Sequence, residues 1–159
     1  MPGKPVAIRK SSLAEIYRHA RETFPNECCG WLGGERASLT ATRVVRAHNA
    51  YQAGAHPAAG ERTAETAYVI AGPELLALSR SLDSDEPALV IYHSHPNGRA
   101  YFSDTDQAVA KDPWGTGPMY PVQQLVGGID DRRVVETKLF AWDHTVARFV
   151  EIATFAAQI

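Results

Sequence analysis

The feature that most constrains how this 159-residue chain can fold is a strand, turn and helix pattern that carries polar residues at fixed spacing. The apolar run Ala88–Tyr92 predicts a buried strand, and His93 and His95 follow it directly. Because residues two apart on a strand point to the same face, both imidazoles should face one point. The segment Pro96-Asn97-Gly98 then predicts a turn, so the chain must reverse close to the two histidines.

A short helix is predicted where the chain returns from this turn. Ser103 stands at the N-cap position, and Asp106 falls in the first helical turn, from which its carboxylate can reach back to the end of the strand. Asp104 is a weaker ligand candidate, because at the first helical position a carboxylate favours the helix dipole in any case. The helix is predicted to end near Lys111.

The residue types at these positions are those of a catalytic metal site. His93, His95 and Asp106 would supply two nitrogens and one oxygen and leave the fourth tetrahedral position for water, whereas structural zinc sites usually have four protein ligands. A histidine pair on a strand is, by itself, more often structural than a ligand pair. The complete spacing His-x-His-x7-Ser-x-x-Asp, however, is expected by chance in only about one chain in a thousand of this composition. We therefore predict one Zn²⁺ per chain in a hydrolytic centre.

The same residues resemble the signature of the JAMM or MPN-plus metallopeptidases, which is an upstream Glu followed by His-x-His-x7-Ser-x-x-Asp. Glu27, just before Cys28–Gly34, stands where that family has its upstream Glu. The resemblance covers residues from about 8 to about 150 and is strongest to small bacterial members. It implies a mixed α/β fold, with a central curved β-sheet flanked by helices as in JAMM proteins and cytidine deaminases.

The resemblance assigns catalytic roles to Glu27 and Ser103, and general chemistry supports them. Zinc lowers the pKa of a water molecule that it binds to about 7. A nearby carboxylate can take the proton of this water during attack on an amide carbonyl and pass it to the leaving amine. Glu27 is our candidate for this proton transfer, although any Glu taken at random is more often a surface residue. Ser103 is expected both to cap its helix and, as the family implies, to stabilise the oxyanion.

The expected substrate follows from the resemblance alone. JAMM enzymes hydrolyse amide or isopeptide bonds after the C-terminal Gly-Gly of ubiquitin or ubiquitin-like proteins, which implies an extended tail lying along a strand edge beside the metal. Small bacterial members resemble enzymes that act on sulfur-carrier proteins and release cysteine or a short C-terminal extension. This chain lacks the long insertions of deubiquitinating members, so a small sulfur carrier is the favoured partner.

Other functions stay open. A deconjugase of a bacterial antiphage ubiquitin-like system would have the same metal centre. RadC-like proteins have a similar His-Pro-Asn-Gly segment, but usually carry an N-terminal helix-hairpin-helix region for which this chain has no room. A non-catalytic scaffold of the MPN-minus type would ordinarily show a broken ligand set, and none of the five positions is broken here. A homodimer is also possible, because oligomers are common among JAMM proteins.

Length and composition predict a single domain over residues 1–159, with residues 1–6 flexible and loops at 48–62 and 111–121. The net charge of −2 provides no basic field for nucleic acid. The sequence has no apolar signal core at its N-terminus and no run of about 18 apolar residues, so we expect a cytoplasmic protein without a membrane partner.

The two cysteines and the other four histidines are predicted to lie outside the metal site. Cys28 and Cys29 are the only cysteines, and because they are adjacent they are poorly placed to form a disulfide with each other. One should point inward and the other outward, and a catalytic cysteine is disfavoured because no general base stands beside them. The other histidines lack ligand spacing among themselves, although the loop of His56 could fold toward the cleft: His19, His48, His56 and His144.

Local patterns predict the other elements. A capping box at Ser12-x-x-Glu15 should open a helix that runs to about Thr23, and Pro73 should open another that runs to about Leu82. Strands are predicted near Cys28–Leu32, Ser38–Ala47, Tyr68, Val122–Ile129, Val134–Trp142 and Val146–Ile152, with turns at Gly33–Arg36, Asp130-Asp131 and Asp143-His144. The irregular segment Asp112–Pro118 is expected to border the cleft, where Trp114, Met119 and Tyr120 either line it or cover the edge of the core.

Overall fold

The computed structural model describes residues 2–51 and 68–157. In this part of the chain, a seven-stranded mixed sheet is flanked by three helices. In chain order the elements are β1 (Ala7–Ile8), α1 (Lys10–Thr23), β2 (Cys29–Glu35), β3 (Thr40–Ala47), α2 (Gly72–Ser81), β4 (Ala88–His95), α3 (Asp104–Ala110), β5 (Gln123–Ile129), β6 (Val134–Asp143) and β7 (Arg148–Phe155). The predicted mixed α/β fold with a central sheet is confirmed.

The strand that carries the two histidines lies in the middle of the sheet. The strand order is β1-β3-β2-β4-β5-β6-β7, and β4 pairs antiparallel with β2 and parallel with β5. Every residue of β4 is buried. Because both faces of this strand are covered, its sequence is a continuous apolar run rather than an alternating pattern.

The sheet has a core on each face. On one face, Ile16 and Tyr17 of α1 pack against a cluster that includes Cys28. On the other face, Leu78 of α2 packs with a cluster that includes Cys29. The two cysteines thus belong to opposite faces as predicted, but neither points outward, because both faces are covered and both thiols are buried.

Several local predictions are confirmed. Helix α1 ends at Thr23, α2 has Pro73 in its first turn, and α3 begins after Ser103 and ends at Ala110. Both Asp turns also form. A side-chain oxygen of Asp130 accepts the N–H groups of two following residues, and one of Asp143 accepts that of Thr145.

The predicted start of α1 is wrong. The helix begins at Lys10, directly after β1, and its N-cap residue Arg9 makes no side-chain capping hydrogen bond. Ser12 lies within the first turn and is buried. The Ser-x-x-Glu pattern therefore marks a residue that packs toward the sheet rather than a helix cap.

The prediction of a hairpin loop at Gly33–Arg36 is also wrong, because β2 continues through Glu35. The pairing of β2 with β3 shifts register between Gly33 and Gly34, and a Cβ atom at Gly34 would collide with the backbone of Thr40 and Ala41. The two glycines thus mark a bulge and a close backbone approach within a strand. The turn itself follows at residues 36–39.

Several strand boundaries and one strand also differ from expectation. Strand β2 begins at Cys29, β3 at Thr40 and β7 at Arg148, each one or two residues later than predicted. Of the strand expected around Tyr68, the described residues form only a single bridge, between Ile70 and Asn49. Most of the predicted loop at 48–62, with His56, lies outside the described residues. None of the helices in the described ranges is long and apolar enough to cross a membrane.

Candidate metal centre

The end of β4 brings the two predicted imidazole ligands together. His93 and His95 are both buried, and their Nε2 atoms lie 3.1 Å apart. They point to the same side of the sheet because they are two residues apart on one strand. The prediction that they face one point is therefore confirmed.

The first turn of α3 adds a carboxylate to this pair. Oδ2 of Asp106 lies 3.2 Å from Nε2 of His93 and 3.1 Å from Nε2 of His95. The same oxygen accepts the backbone N–H of Ser103 at 3.0 Å, and Oγ of Ser103 accepts the N–H of Asp106 at 3.0 Å. This reciprocal capping box fixes the rotamer of Asp106 and aims its carboxylate at the two imidazoles.

Glu27 lies at the same place, although it comes from another part of the chain. It stands just before β2, where Cys29 pairs with His93, and its side chain is buried. One donor atom each of Glu27, His93 and His95 lie within 4.8 Å of one another. The structure thus brings together all the residues of the predicted site.

Aromatic rings hold both imidazoles in place. Tyr68 stacks on His93, with ring centroids 4.7 Å apart and planes inclined by 26°. The ring centroids of Tyr101 and His95 lie 4.7 Å apart, and those of Phe102 and His93 lie 6.2 Å apart. Neither imidazole Nδ1 atom has a hydrogen-bond partner within residues 2–51 and 68–157, so ring contacts fix the ring orientations there.

The electrostatic environment favours the protonation states that a metal requires. Burial lowers the pKa of His93 and outweighs the opposing effect of the Asp106 carboxylate. Burial alone would raise the pKa of Asp106, but the contacts of its carboxylate with His93 and His95 overcome this effect and hold that pKa far below its ordinary value. Neutral imidazoles and an ionised carboxylate are the forms that bind a divalent cation.

The donor geometry fits a small tetrahedral cation. Three donor atoms from His93, His95 and Asp106 form a triangle with edges of 3.1 to 3.2 Å. Ligand atoms at Zn–N and Zn–O distances of about 2.0 to 2.1 Å in a tetrahedron would be separated by roughly 3.3 Å. These three side chains could therefore hold zinc.

The described cysteines and other histidines stay outside this arrangement. Burial raises the pKa of the Cys28 thiol to about 12, so it is neither a nucleophile nor a thiolate ligand at neutral pH. His19 contacts the hydroxyl of Tyr92, His48 contacts Glu74 at the surface, and His144 accepts a hydrogen bond from Trp142.

An apolar cavity of about 230 Å³ adjoins the site through Tyr68, which forms one of its walls. Met119 and Tyr120 line it, whereas Trp114 is not among its lining residues and is 81% exposed. The contact of Tyr68 with His93 is not predicted from the sequence, because no local pattern connects a tyrosine with a histidine so distant in the chain.

Comparison with known proteins shows the family to which this chain belongs. Residues 9–144 match the family of prokaryotic homologs of the JAB domain, and the chain belongs to this family. The predicted JAMM/MPN relationship is confirmed.

Individual proteins and solved structures that are similar to this chain agree with its membership of the JAB family. The CysO-cysteine peptidases of Mycobacterium bovis and Mycobacterium tuberculosis are 35% identical to this chain over 109 residues, which is 68% of the chain and 67% of the relatives. The solution structure of a Desulfitobacterium hafniense protein superimposes with a TM-score of 0.66 at 24% identity, covering 93% of this chain and 90% of that one. A JAB1/MPN domain protein from Archaeoglobus fulgidus gives a TM-score of 0.53 at 14% identity, covering 95% and 96% of the two chains. These two structures support the fold.

Proposed function

We propose that the protein is a zinc-dependent peptidase that hydrolyses the peptide or isopeptide bond after the C-terminal Gly-Gly of a ubiquitin-like sulfur-carrier protein. The released group would be cysteine or a short C-terminal extension. The observation that carries the proposal is the triangle of donor atoms from His93, His95 and Asp106, with Glu27 buried beside it. The name of the CysO-cysteine peptidase relatives supports the choice of substrate.

In this proposal each side chain has one task. His93, His95 and Asp106 would hold one zinc ion, which supplies Lewis acidity to polarise a carbonyl oxygen and to make a water molecule acidic near neutral pH. Glu27 takes a proton from the attacking water and gives a proton to the leaving nitrogen as the C–N bond breaks. The products are a carrier that ends in a Gly-Gly carboxylate and a free amine.

Ser103 would stabilise the negative charge that develops on the carbonyl oxygen. Its Oγ atom accepts the N–H of Asp106, and its own hydroxyl proton is left as a donor. A single oxyanion donor of this kind is typically worth about a hundredfold or more in rate.

The carrier tail would have to bind beside His93 without using an edge of the main sheet. Both sides of β4 are paired, and the outer strands of the described sheet are β1 and β7. Tyr68 stacks on His93, and Ile70 of the same segment bridges Asn49. We propose that the tail pairs with residues 68–70. A cytoplasmic location is also proposed, because two free, buried thiols suit a reducing compartment.

A cleavage assay tests the function. The zinc-loaded protein and an isosteric Glu27→Gln variant are incubated with the ubiquitin-like carriers of the same genome, each extended past Gly-Gly by cysteine or a short peptide. Mass spectrometry should show trimming by the wild type alone. If neither protein trims any carrier although both bind zinc, the peptidase proposal fails and a non-catalytic scaffold takes its place.

A further inference from the structure

The peptide unit that joins Glu27 to Cys28 is held by side chains at both of its polar ends. Nδ2 of Asn49 donates to the carbonyl oxygen of Glu27 at 3.0 Å. The N–H of Cys28 donates to Oγ of Ser94 at 2.8 Å. This unit precedes β2, so these two side chains bind groups that lie before the first residue of the strand. We refer to Asn49 and Ser94 as the peptide clamp.

One half of the clamp is anchored to the segment that covers the metal centre. Oδ1 of Asn49 accepts the N–H groups of Tyr51 at 3.1 Å and of Val69 at 3.2 Å. The backbone of Asn49 also forms the bridge to Ile70. Asn49 therefore connects the backbone of Glu27 to the segment in which Tyr68 stacks on His93.

The other half is anchored to the strand that carries the imidazoles. Ser94 lies between His93 and His95 on β4 and is buried, as is Cys28. The N–H of Ser94 also donates to the carbonyl oxygen of Cys28 at 3.2 Å. Any displacement of the Glu27–Cys28 peptide relative to the two imidazoles must therefore break bonds to the residue between them.

We propose that Asn49 and Ser94 are positioning residues that hold the Glu27 carboxylate in register with the metal centre through this peptide. Rotation of the peptide plane would redirect the Cα–Cβ bond of Glu27, and an error of about 1 Å in the position of a catalytic group can cost about a hundredfold in rate. The catalytic part of this inference rests on the proposed peptidase function. The geometric part concerns the folded chain alone.

The geometric part is tested by amide hydrogen exchange, measured by NMR on the full chain. In Ser94→Ala the amide of Cys28 should exchange about tenfold faster than in the wild type, because it loses a hydrogen bond worth about that factor. The amide of Gly30, inside β2, should keep its rate. An unchanged rate at Cys28 would overturn the clamp whatever the enzyme does.

Zinc affinity and kinetics test the positioning role. Asn49→Ala and Ser94→Ala should bind zinc as the wild type does in chelator competition, because His93, His95 and Asp106 are unchanged. Their kcat should fall by about 10 to 100-fold with little change in KM. Asn26→Ala is the matched control, because Asn26 is exposed and directly precedes Glu27.

Asn49→Asp separates the two contacts of Asn49. The carboxylate can still accept the N–H groups of Tyr51 and Val69, but it cannot donate to the carbonyl of Glu27. Its kcat should fall as far as that of Asn49→Ala. Wild-type kcat in Asn49→Asp, or a parallel loss of kcat, zinc affinity and thermal stability in every variant, would show a merely structural role. If the wild type trims no carrier, the proposed function fails, while the exchange rates still decide the clamp.

Discussion

At the scale of single residues, the helix cap and the candidate metal centre share the same atoms. Oγ of Ser103 accepts the N–H of Asp106, and the carboxylate of Asp106 accepts the N–H of Ser103 while it faces both imidazoles. A local stabilising motif thus sets the orientation of a proposed ligand. The same arrangement means that a mutation at Ser103 can change stability and catalysis together, so the two effects must be separated by the choice of substitution.

Ser103→Gly and Ser103→Ala should have different effects on stability and similar effects on rate. Glycine at an N-cap costs only a few tenths of a kcal/mol, whereas alanine costs about 1 kcal/mol. Both remove the hydroxyl donor, so kcat should fall by about a hundredfold or more in each. Thermal unfolding and initial-rate kinetics measure the two quantities. Wild-type kcat in Ser103→Gly would show that Ser103 caps the helix and has no role in catalysis.

The residues that the sequence could predict are those within one short segment. The periods of a strand and of a helix place His93, His95, Ser103 and Asp106 relative to one another, because only one turn separates the two elements. Glu27 comes from far earlier in the chain and was assigned only through the family resemblance. The contacts of Asn49 depend on how the chain returns after β3, which no local pattern encodes.

At the scale of elements, the loop between β4 and α3 is packed directly against the sheet. A Cβ atom at Gly128 of β5 would lie 2.5 Å from backbone atoms of Arg99, whereas one at Gly127 would meet nothing closer than 3.8 Å. The N–H of Ala100 in the same loop donates to the carboxylate of Glu136 at 2.6 Å. The two adjacent glycines therefore form a matched pair for mutation.

Gly128→Ala should push this loop away from β5 and shift α3 relative to β4. We expect a loss of about 1 to 3 kcal/mol in the free energy of unfolding, together with weaker zinc binding, because Asp106 moves relative to the imidazoles. Gly127→Ala should leave both quantities close to wild type. Denaturant unfolding and chelator competition measure them, and equal behaviour of the two variants would contradict the close approach.

The contact between α1 and β4 should make the stability of the metal-free protein dependent on pH. His19 is buried with Nδ1 at 2.7 Å from the hydroxyl of Tyr92. Burial, then the charge of Arg46 and to a smaller degree that of His48, lower its pKa from 6.5 to about 4, against the opposing effect of Glu22. Because the unfolded chain then binds the proton more tightly, this stability is complete above pH 6.5 and is lost as the pH falls toward 4.

Protonation of His19 should lower the free energy of unfolding by about 3 kcal/mol at most. Thermal unfolding of the wild type and of His19→Asn, both with a chelator, should therefore diverge between pH 7 and pH 4. The wild type should lose about 5 to 10 °C more than the variant. His93, whose pKa is also lowered, contributes in the same direction in both proteins. Parallel curves would show that His19 does not titrate in this range.

At the scale of the whole molecule, burial of the sheet on both faces explains which parts of the fold the sequence could predict. The long apolar run of β4 is predicted correctly, because a strand that is covered on both faces carries apolar residues without a break. The double glycine of β2 was taken for a turn, because close approach of Thr40 and Ala41 leaves no signal other than the absence of side chains. The order of the strands in the sheet follows from long-range pairing, which no local pattern encodes.

The metal centre joins β4 and α3, so zinc binding should stabilise the entire fold. A ligand that binds only the folded state at about 100 times its Kd adds about 2.7 kcal/mol, which corresponds to a rise in Tm of about 5 to 10 °C for a chain of this size. This rise should weaken at acidic pH, because protons then compete with zinc for the ligand atoms. His95→Ala should abolish the rise, whereas His48→Ala, at an exposed histidine, should retain it. Calorimetric scans with zinc and with a chelator make the comparison, and an undiminished rise in His95→Ala would place the zinc elsewhere on the protein.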